Sequence, residues 1–426
     1  MVRDVGETLY DVLTGDEAAR ACRDLPEHAC RHRARNFVVH VASLALTKAG
    51  DGLADARLVL PWLLGAVGAP AAAIGLLVPV REALALLPQL ALSAEVRALA
   101  VRKTVWAWAS VAQGLAVVAM AAAVTGLDGA AAGWSVVALL AVFALARSAA
   151  SVSQKDVLAK TVDKRQRGTA TGVAGSLGAA VVLAFGGGLA AGVIPLTVAA
   201  VAWGLVVAGA GWLVAGALYL LLVEEPGATA GGANGVEAMA GQLGLLRRDP
   251  ELGRFVAVRG LALATALAPP FLLARAGAEG DRGLGELGLF VLAAALATMA
   301  SSAIWGRVAD RSSRRVLITA ALAGAATLGL AAVAPAVVLP GLLFVLLAAH
   351  QGLRLARKTH LTDMAPARDR AAYTAIANTA TGVLLLAGGG FGLVADAFGP
   401  AVVLALLAAM AAGAAGLAAG LREVQG

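Results

Sequence analysis

Residues 158–190, LAKTVDKRQRGTATGVAGSLGAAVVLAFGGGLA, align without a gap to residues 361–393, LTDMAPARDRAAYTAIANTATGVLLLAGGGFGL, at an offset of 203. Nine of the 33 positions are identical: Leu158/Leu361, Arg165/Arg368, Arg167/Arg370, Thr171/Thr374, Ala174/Ala377, Leu183/Leu386, Ala184/Ala387, Gly186/Gly389 and Gly187/Gly390. In an Ala- and Leu-rich chain the aliphatic matches say little, but the paired arginines and Gly-Gly steps are not compositional accidents. A second match pairs Gly52-Leu53-Ala54 with Gly260-Leu261-Ala262 and Pro61 with Pro269, at an offset of 208. The chain therefore reads as two like halves in parallel repeat.

Composition says where those halves reside. Of 426 residues, 60% are apolar, 14% charged and 4% aromatic, whereas a soluble domain carries about 25% charged residues. The apolar residues come in blocks of twenty or more, the length a helix needs to cross a bilayer. A water-soluble enzyme is excluded, and a membrane β-barrel would show short alternating segments instead. Twelve apolar segments are predicted near 36–64, 69–92, 101–126, 133–154, 168–192, 195–223, 254–275, 285–306, 315–335, 337–356, 371–394 and 398–421. The expected organisation is a tail (1–35), a six-helix bundle (36–223), a connector (224–253), a second six-helix bundle (254–421) and a short C-terminus (422–426). The fold class is an all-α polytopic membrane protein of twelve transmembrane helices in two pseudo-symmetric halves.

The net charge of +7 belongs to this topology. With the N-terminus in the cytosol, the outer loops hold only Arg275 and Arg282. Five basic residues (Lys48, Arg57, Arg81, Arg147 and Arg259) fall well inside spans, and all the other Lys and Arg, including Arg354 and Arg357 at the end of the tenth span, count with the tail, the cytosolic loops or the C-terminus. This is the positive-inside bias, and it predicts a bacterial inner (plasma) membrane protein with both termini cytosolic. Nucleic acid is not an expected partner. The tail carries Cys22, His28, Cys30 and His32, whose spacing matches no standard zinc pattern, so reduced thiols and no metal are expected. Its many acidic residues argue against a secretory signal. It is expected to form one or two short surface helices with Leu9, Val12 and Leu13 as an apolar stripe.

The loop after the eighth span reads Gly306-Arg307-Val308-Ala309-Asp310-Arg311-Ser312-Ser313-Arg314-Arg315-Val316-Leu317. Gly306 would let two helices approach closely, Asp310 could accept from a helix N-terminus, and Arg311 and Arg314 could bridge to its partners. This glycine, the acid four residues on and the following basic residues resemble the signature loop of the major facilitator superfamily, and twelve spans extend the resemblance over nearly the whole chain. The equivalent first-half loop, from Ser93 to Lys103, lacks the Gly and the spaced Asp. Arg147 stands closer to the cytosol than the family's fourth-helix arginine.

A charge at mid-bilayer costs about 2.5–3.5 kcal/mol on insertion scales, so the charges retained in spans are functional candidates. Lys48, Asp51 and Asp55 are spaced three and four apart, on one helical face, while Arg57 points roughly opposite, toward the interface. Pro79-Val80-Arg81-Glu82 lies halfway through the second span. Arg259 occupies the repeat position of Asp51, and His350, with Gln351 beside it, that of Arg147. The resemblance implies that the first, fourth, seventh and tenth helices line a central cavity, on which these residues would converge. The competing reading is a structural network in which Lys48–Asp51 and Arg81–Glu82 satisfy one another, with Arg147 only a topology charge. Trp106 and Trp108 read as interface or packing residues, and no cofactor motif is present.

Five basic against three acidic spanning residues favour an anionic or zwitterionic solute. The expectation is a secondary active transporter working by alternating access, with protons as a coupling partner through Asp51, Asp55 or Glu82, and monomeric. There is no GxxxxGK[ST] loop for ATP, nor an HExxH or GxSxG motif, so enzymatic activity is not expected. Efflux of drugs or metabolites on the same fold is the alternative, and a non-transporting assembly or sensory protein is the rival from another class.

Overall fold

A computed structural model describes residues 5–14, 31–227, 229, 244–278, 287–309, 311–366 and 369–425. Ahead of the membrane lies α1 (Val5–Thr14). The first half then runs through α2 (Arg33–Leu53), α3 (Val59–Ala66), α4 (Ala71–Leu86), α5 (Gln89–Ala98), α6 (Lys103–Gly126), α7 (Gly129–Thr161), α8 (Arg167–Ala190) and α9 (Val198–Tyr219). The second half contains α10 (Leu245–Arg248), α11 (Pro250–Leu261), α12 (Ala264–Leu267), α13 (Pro269–Gly277), α14 (Leu287–Ala309), α15 (Ser313–Val333), α16 (Leu339–Met364), α17 (Arg370–Gly388), α18 (Phe391–Phe398) and α19 (Pro400–Ala419). These elements make twelve passages, and the chain is a multi-pass membrane protein. Ten of them are long and apolar enough to cross a bilayer as helices. The eighth contributes a shorter apolar run, Leu287–Ser301, and the first is broken and carries Lys48 and Asp51.

The breaks have local causes. The Asp55 carboxylate accepts from the backbone N–H of Arg57 (2.8 Å) and Leu58 (3.0 Å), which holds the turn between the end of α2 at Leu53 and the start of α3 at Val59. In the matching seventh passage, Pro269 and Pro270 open α13, as a residue without an N–H can do at a first turn.

Within each half, packing follows the repeat. The α6 helix packs on α7 and α9 and α4 packs on α7, while α15 packs on α16 and α19 and α14 packs on α16. Across the halves, α4 meets α17 and α18, and α8 meets α14. Successive passages alternate direction, so the starts of α2 and α11 and the ends of α9 and α19 share one face, called here the terminal face. The inter-half contacts concentrate toward the other. A Cβ on Gly75 would fall 2.6 Å from the Cα of Gly392, and one on Gly186 would fall 2.9 Å from Val291. Gly288 is seated against the Ala190 backbone in the same way. The Asp396 carboxylate accepts from Ala71 N–H (2.8 Å) and Ala72 N–H (2.9 Å) at the first turn of α4, where an anion also meets the positive end of the helix.

At the terminal face the residue that follows the last helix of each half caps the third. The fully buried Glu224 carboxylate accepts from Arg102 N–H (3.0 Å), Lys103 N–H (2.7 Å) and Lys160 Nζ (3.0 Å), while Asp156 pairs with Arg102 (2.6 Å) and Lys160 (3.1 Å). In the second half Ser312 Oγ donates to Glu423 (2.7 Å) and the N–H of Ser313 donates to Gln425 Oε1. Glu224 thus stands in the first half where Glu423 and Gln425 stand in the second. Arg311 is exposed and Arg314 half-buried. Asp310 lies outside the described residues, as do Cys22, His28 and Cys30. Gly306 falls near the end of α14, where the Trp305 indole lies over Gly352 of α16 while donating to Ala348 O at 2.7 Å.

The tail helix docks through a residue outside the expected stripe. Tyr10 is buried edge-on against Phe37, its hydroxyl donating to Gln166 at 2.8 Å, whereas Val12 is 76% exposed. Trp106 packs internally, stacked on Tyr219, and Trp108 faces outward.

Asp249 caps α11 by accepting from Glu251 N–H (2.9 Å) and Leu252 N–H (3.3 Å), and takes the Tyr373 hydroxyl at 2.6 Å. Burial alone would raise this carboxyl, but the Tyr373 hydroxyl and the two backbone donors outweigh it and hold it below the usual range. An unfolded Asp titrates near about 3.9. The stabilisation from Asp249 is therefore complete above that pH and is lost as pH falls through the lower folded value. Tyr373→Phe is expected to lower the thermal midpoint at neutral pH, with the difference from the parent narrowing as pH falls below the usual carboxylate range and the Asp protonates. Thermal melts between pH 2 and 7 check this, and a gap that stayed constant would count against it.

Candidate functional site

Between the halves lies a cavity of about 320 Å³ lined by Asp51, Arg57, Arg81, Glu82, Arg147, Arg259, His350, Arg354, Arg357 and Thr381, with a few aliphatic residues. Six guanidinium groups face two carboxylates. The cavity reaches toward the terminal face: Arg354 and Arg357 follow His350 by one and two turns of α16 in that direction, and Arg354 is exposed. Away from that face the halves close on the glycine contacts described above.

Asp51, on the last turn and a half of α2, is the hub. Arg147 of α7 grips it with two bonds of 2.6 Å, one to each oxygen, the paired geometry that suits a guanidinium to a carboxylate. Arg81 of α4 reaches the same carboxylate at 3.1 Å and Glu82 at 2.9 Å. Arg57 lies 3.8 Å from Glu82. Three helices are thereby joined through charged groups that remain partly wet, with Asp51 20% and Arg147 34% exposed.

The second half contributes differently. Arg259, on α11, is buried and donates to Asn378 Oδ1 at 2.8 Å, while its Nε has no partner among the described residues. His350 Nδ1 and Thr265 Oγ1 are 2.9 Å apart. No carboxylate of the described residues lies within ion-pair distance of Arg259, Arg354 or Arg357.

Several sequence expectations change. Asp51, Arg81, Glu82, Arg147, Arg259 and His350 do line one cavity. Lys48 does not: it is exposed and lies against Gly175 and Gly178 of α8, so the expected Lys48–Asp51 pair gives way to Arg147–Asp51. Three residues turn a helix by 300°, enough to separate two side chains when one must enter a narrow cavity. Asp55 is committed to the backbone of the α2–α3 break. It lies with Gln351 in a smaller side cavity of about 150 Å³, where Gln351 Nε2 is 3.4 Å from Thr298 Oγ1. Arg57, expected at the interface, enters the central cavity because the Asp55 break resets the helical phase. Arg147 is a bidentate partner and more than a topology charge.

Sequence reading missed Arg354 and Arg357, which were counted with the loop that follows the tenth span. The signal was present: His350, Arg354 and Arg357 stand at i, i+4 and i+7, one stripe of a helix. The α16 helix simply continues to Met364.

The fold recurs in solved structures. Nucleoside transporter NupG superposes with a TM-score of 0.67 at 13% identity, over 91% of this chain and 98% of that one. The xylose transporter XylE from E. coli, in an inward open conformation, gives 0.61 at 15%, over 91% and 97%. A bacterial homolog of the human lysosomal transporter Spinster gives 0.58 at 13%, over 92% and 98%. The chain has the major facilitator fold. No family model and no curated protein sequence matches it. At such identities the likeness is one of architecture. What distinguishes this chain is the content of its cavity.

Proposed function

We propose that the protein is a secondary active transporter that moves a small anionic solute across the membrane by alternating access, the two halves rocking about the central cavity. The observation that carries this reading is the surplus of four positive charges among the cavity-lining side chains, in a space sized for a small molecule. Arginine forks suit carboxylate and phosphate oxygens, and in a low-dielectric enclosure such charges attract anions far more than they would in water. Efflux of lipophilic cations is disfavoured, since both cavity carboxylates are paired and no aromatic side chain lines the cavity. A non-transporting role would leave Arg259, Arg354 and Arg357 facing the cavity with no counter-charge among the described residues.

Protons are the proposed coupling partner, with Asp51 as the group that carries them. Its partners Arg81 and Arg147 sit on two other helices, so rocking that separates them changes the charge around Asp51. The termini are proposed to be cytosolic, which makes the cavity face the cytosol. Proteoliposome uptake tests the function: anionic solutes should accumulate saturably and compete with one another, and neutral sugars or nucleosides should not compete. Saturable uptake of a neutral solute, indifferent to anions, would refute it.

A further inference from the structure

The cavity's positive charge is unevenly divided. Arg57, Arg81 and Arg147 share the first-half wall with Asp51 and Glu82, and the ion pairs described above leave that wall nearly balanced. Arg259, Arg354 and Arg357 form the second-half wall with no carboxylate among the lining residues. We infer, building on the anion reading above, that the solute bears two or more anionic groups, phosphoryl or carboxyl, and that Arg259, Arg354 and Arg357 are the residues that hold them.

Three features carry this. Arg354 and Arg357 are three residues apart on one stripe of α16, so their stems are staggered by only about 4.5 Å along the axis, close enough for one molecule to engage both. Arg259 approaches from α11, fixed by Asn378 through one terminal nitrogen, while its buried Nε has no partner among the described residues. A buried polar atom of this kind calls for a partner. Charge matching then sets the valence. A monoanion would leave two guanidinium groups on this wall repelling each other in an enclosed space, whereas a dianion or trianion leaves one or none. Each planar fork can take two oxygens of a phosphoryl or carboxyl group, so a solute with adjacent anionic groups can satisfy several donors at once.

Thermal stabilisation of the full-length protein in neutral detergent, at constant ionic strength, tests the inference with pyrophosphate, citrate, lactate, acetate and a neutral sugar as probes. Pyrophosphate or citrate should raise the midpoint at concentrations at least tenfold below those needed of lactate or acetate, and the better of the two identifies the anionic group. Arg354→Gln combined with Arg357→Gln should erase that tenfold preference and, by removing two like charges, raise the midpoint of the ligand-free protein. Arg315→Gln, exposed on the terminal face, should preserve the preference. A double variant with a lower ligand-free midpoint, or one that kept the preference, would overturn the assignment of these arginines. Equal response to lactate and pyrophosphate would overturn the multivalent solute while leaving an anion transporter standing. Stabilisation by the sugar alone, or by no anion, would overturn the underlying reading as well.

Discussion

Asp51→Asn is expected to reduce transport at least about thirtyfold, with the protein still folded. The carboxylate holds Arg147 by two 2.6 Å bonds and Arg81 by one of 3.1 Å. Asn offers one neutral acceptor in their place and leaves both guanidinium groups without their main counter-charge. Stripping one partner from a fully buried pair costs about 3–5 kcal/mol. Because these groups are partly wet, about 2–3 kcal/mol is the better figure, and each 1.36 kcal/mol is tenfold in rate. Arg147→Gln should be similarly impaired. The double variant Asp51→Asn with Arg147→Gln should be less impaired than the sum of the two, because neither charge is then left alone. Uptake in proteoliposomes by all four proteins measures this. Strict additivity would mean that the pair does not act as a unit, and unaltered pH dependence in Asp51→Asn would remove it as the proton carrier.

The second large effect lies where the halves touch. Gly392→Val is expected to abolish transport by opening the seal away from the terminal face. Any Cβ at Gly392 would meet Ala71 O at 2.6 Å and the Ala72 backbone at 2.8 Å. These are backbone atoms of α4 that no rotamer change can move aside, so the helices must part. The Asp396 bonds to Ala71 and Ala72 sit one turn further along and would be lost with the contact. In a background lacking Cys22 and Cys30, a cysteine at the cavity residue Ala85 should then react with an impermeant maleimide supplied from the face opposite the termini. Without Gly392→Val it should react only from the terminal face. Full uptake in Gly392→Val, or no change in labelling, would mean that the glycine contact is not the seal.

Much of the architecture was legible because bilayer physics is unforgiving. Twelve apolar runs, the sorted Lys and Arg, and matched Arg and Gly-Gly positions in the fifth and eleventh passages were enough for a two-halved helical membrane protein. The cavity was only partly legible. Asp51, Arg81, Glu82, Arg147, Arg259 and His350 were recoverable because charge at membrane depth is costly. Spacing alone misplaced Lys48, which stands 300° around α2 from Asp51, and Asp55, since the end of α2 and the Asp55 turn that follows it are not visible in periodicity. Arg354 and Arg357 were assigned to a loop because hydropathy ends a span where charge begins, while α16 continues past that point and turns the charge inward. Tyr10 escaped because a buried phenol in a polar tail leaves no periodic trace. The Glu224 cap joins residues more than a hundred positions apart, which no local motif records.

The central claim is that the arginine-lined cavity carries an anion. The most direct measurement is the charge displacement on solid-supported membranes bearing the protein, after concentration jumps of anionic and neutral solutes. The account predicts a saturable transient for anions that Arg259→Gln weakens at least tenfold, with no response to neutral solutes. A transient that neutral solutes evoke equally, or one that survives Arg259→Gln unchanged, would contradict it.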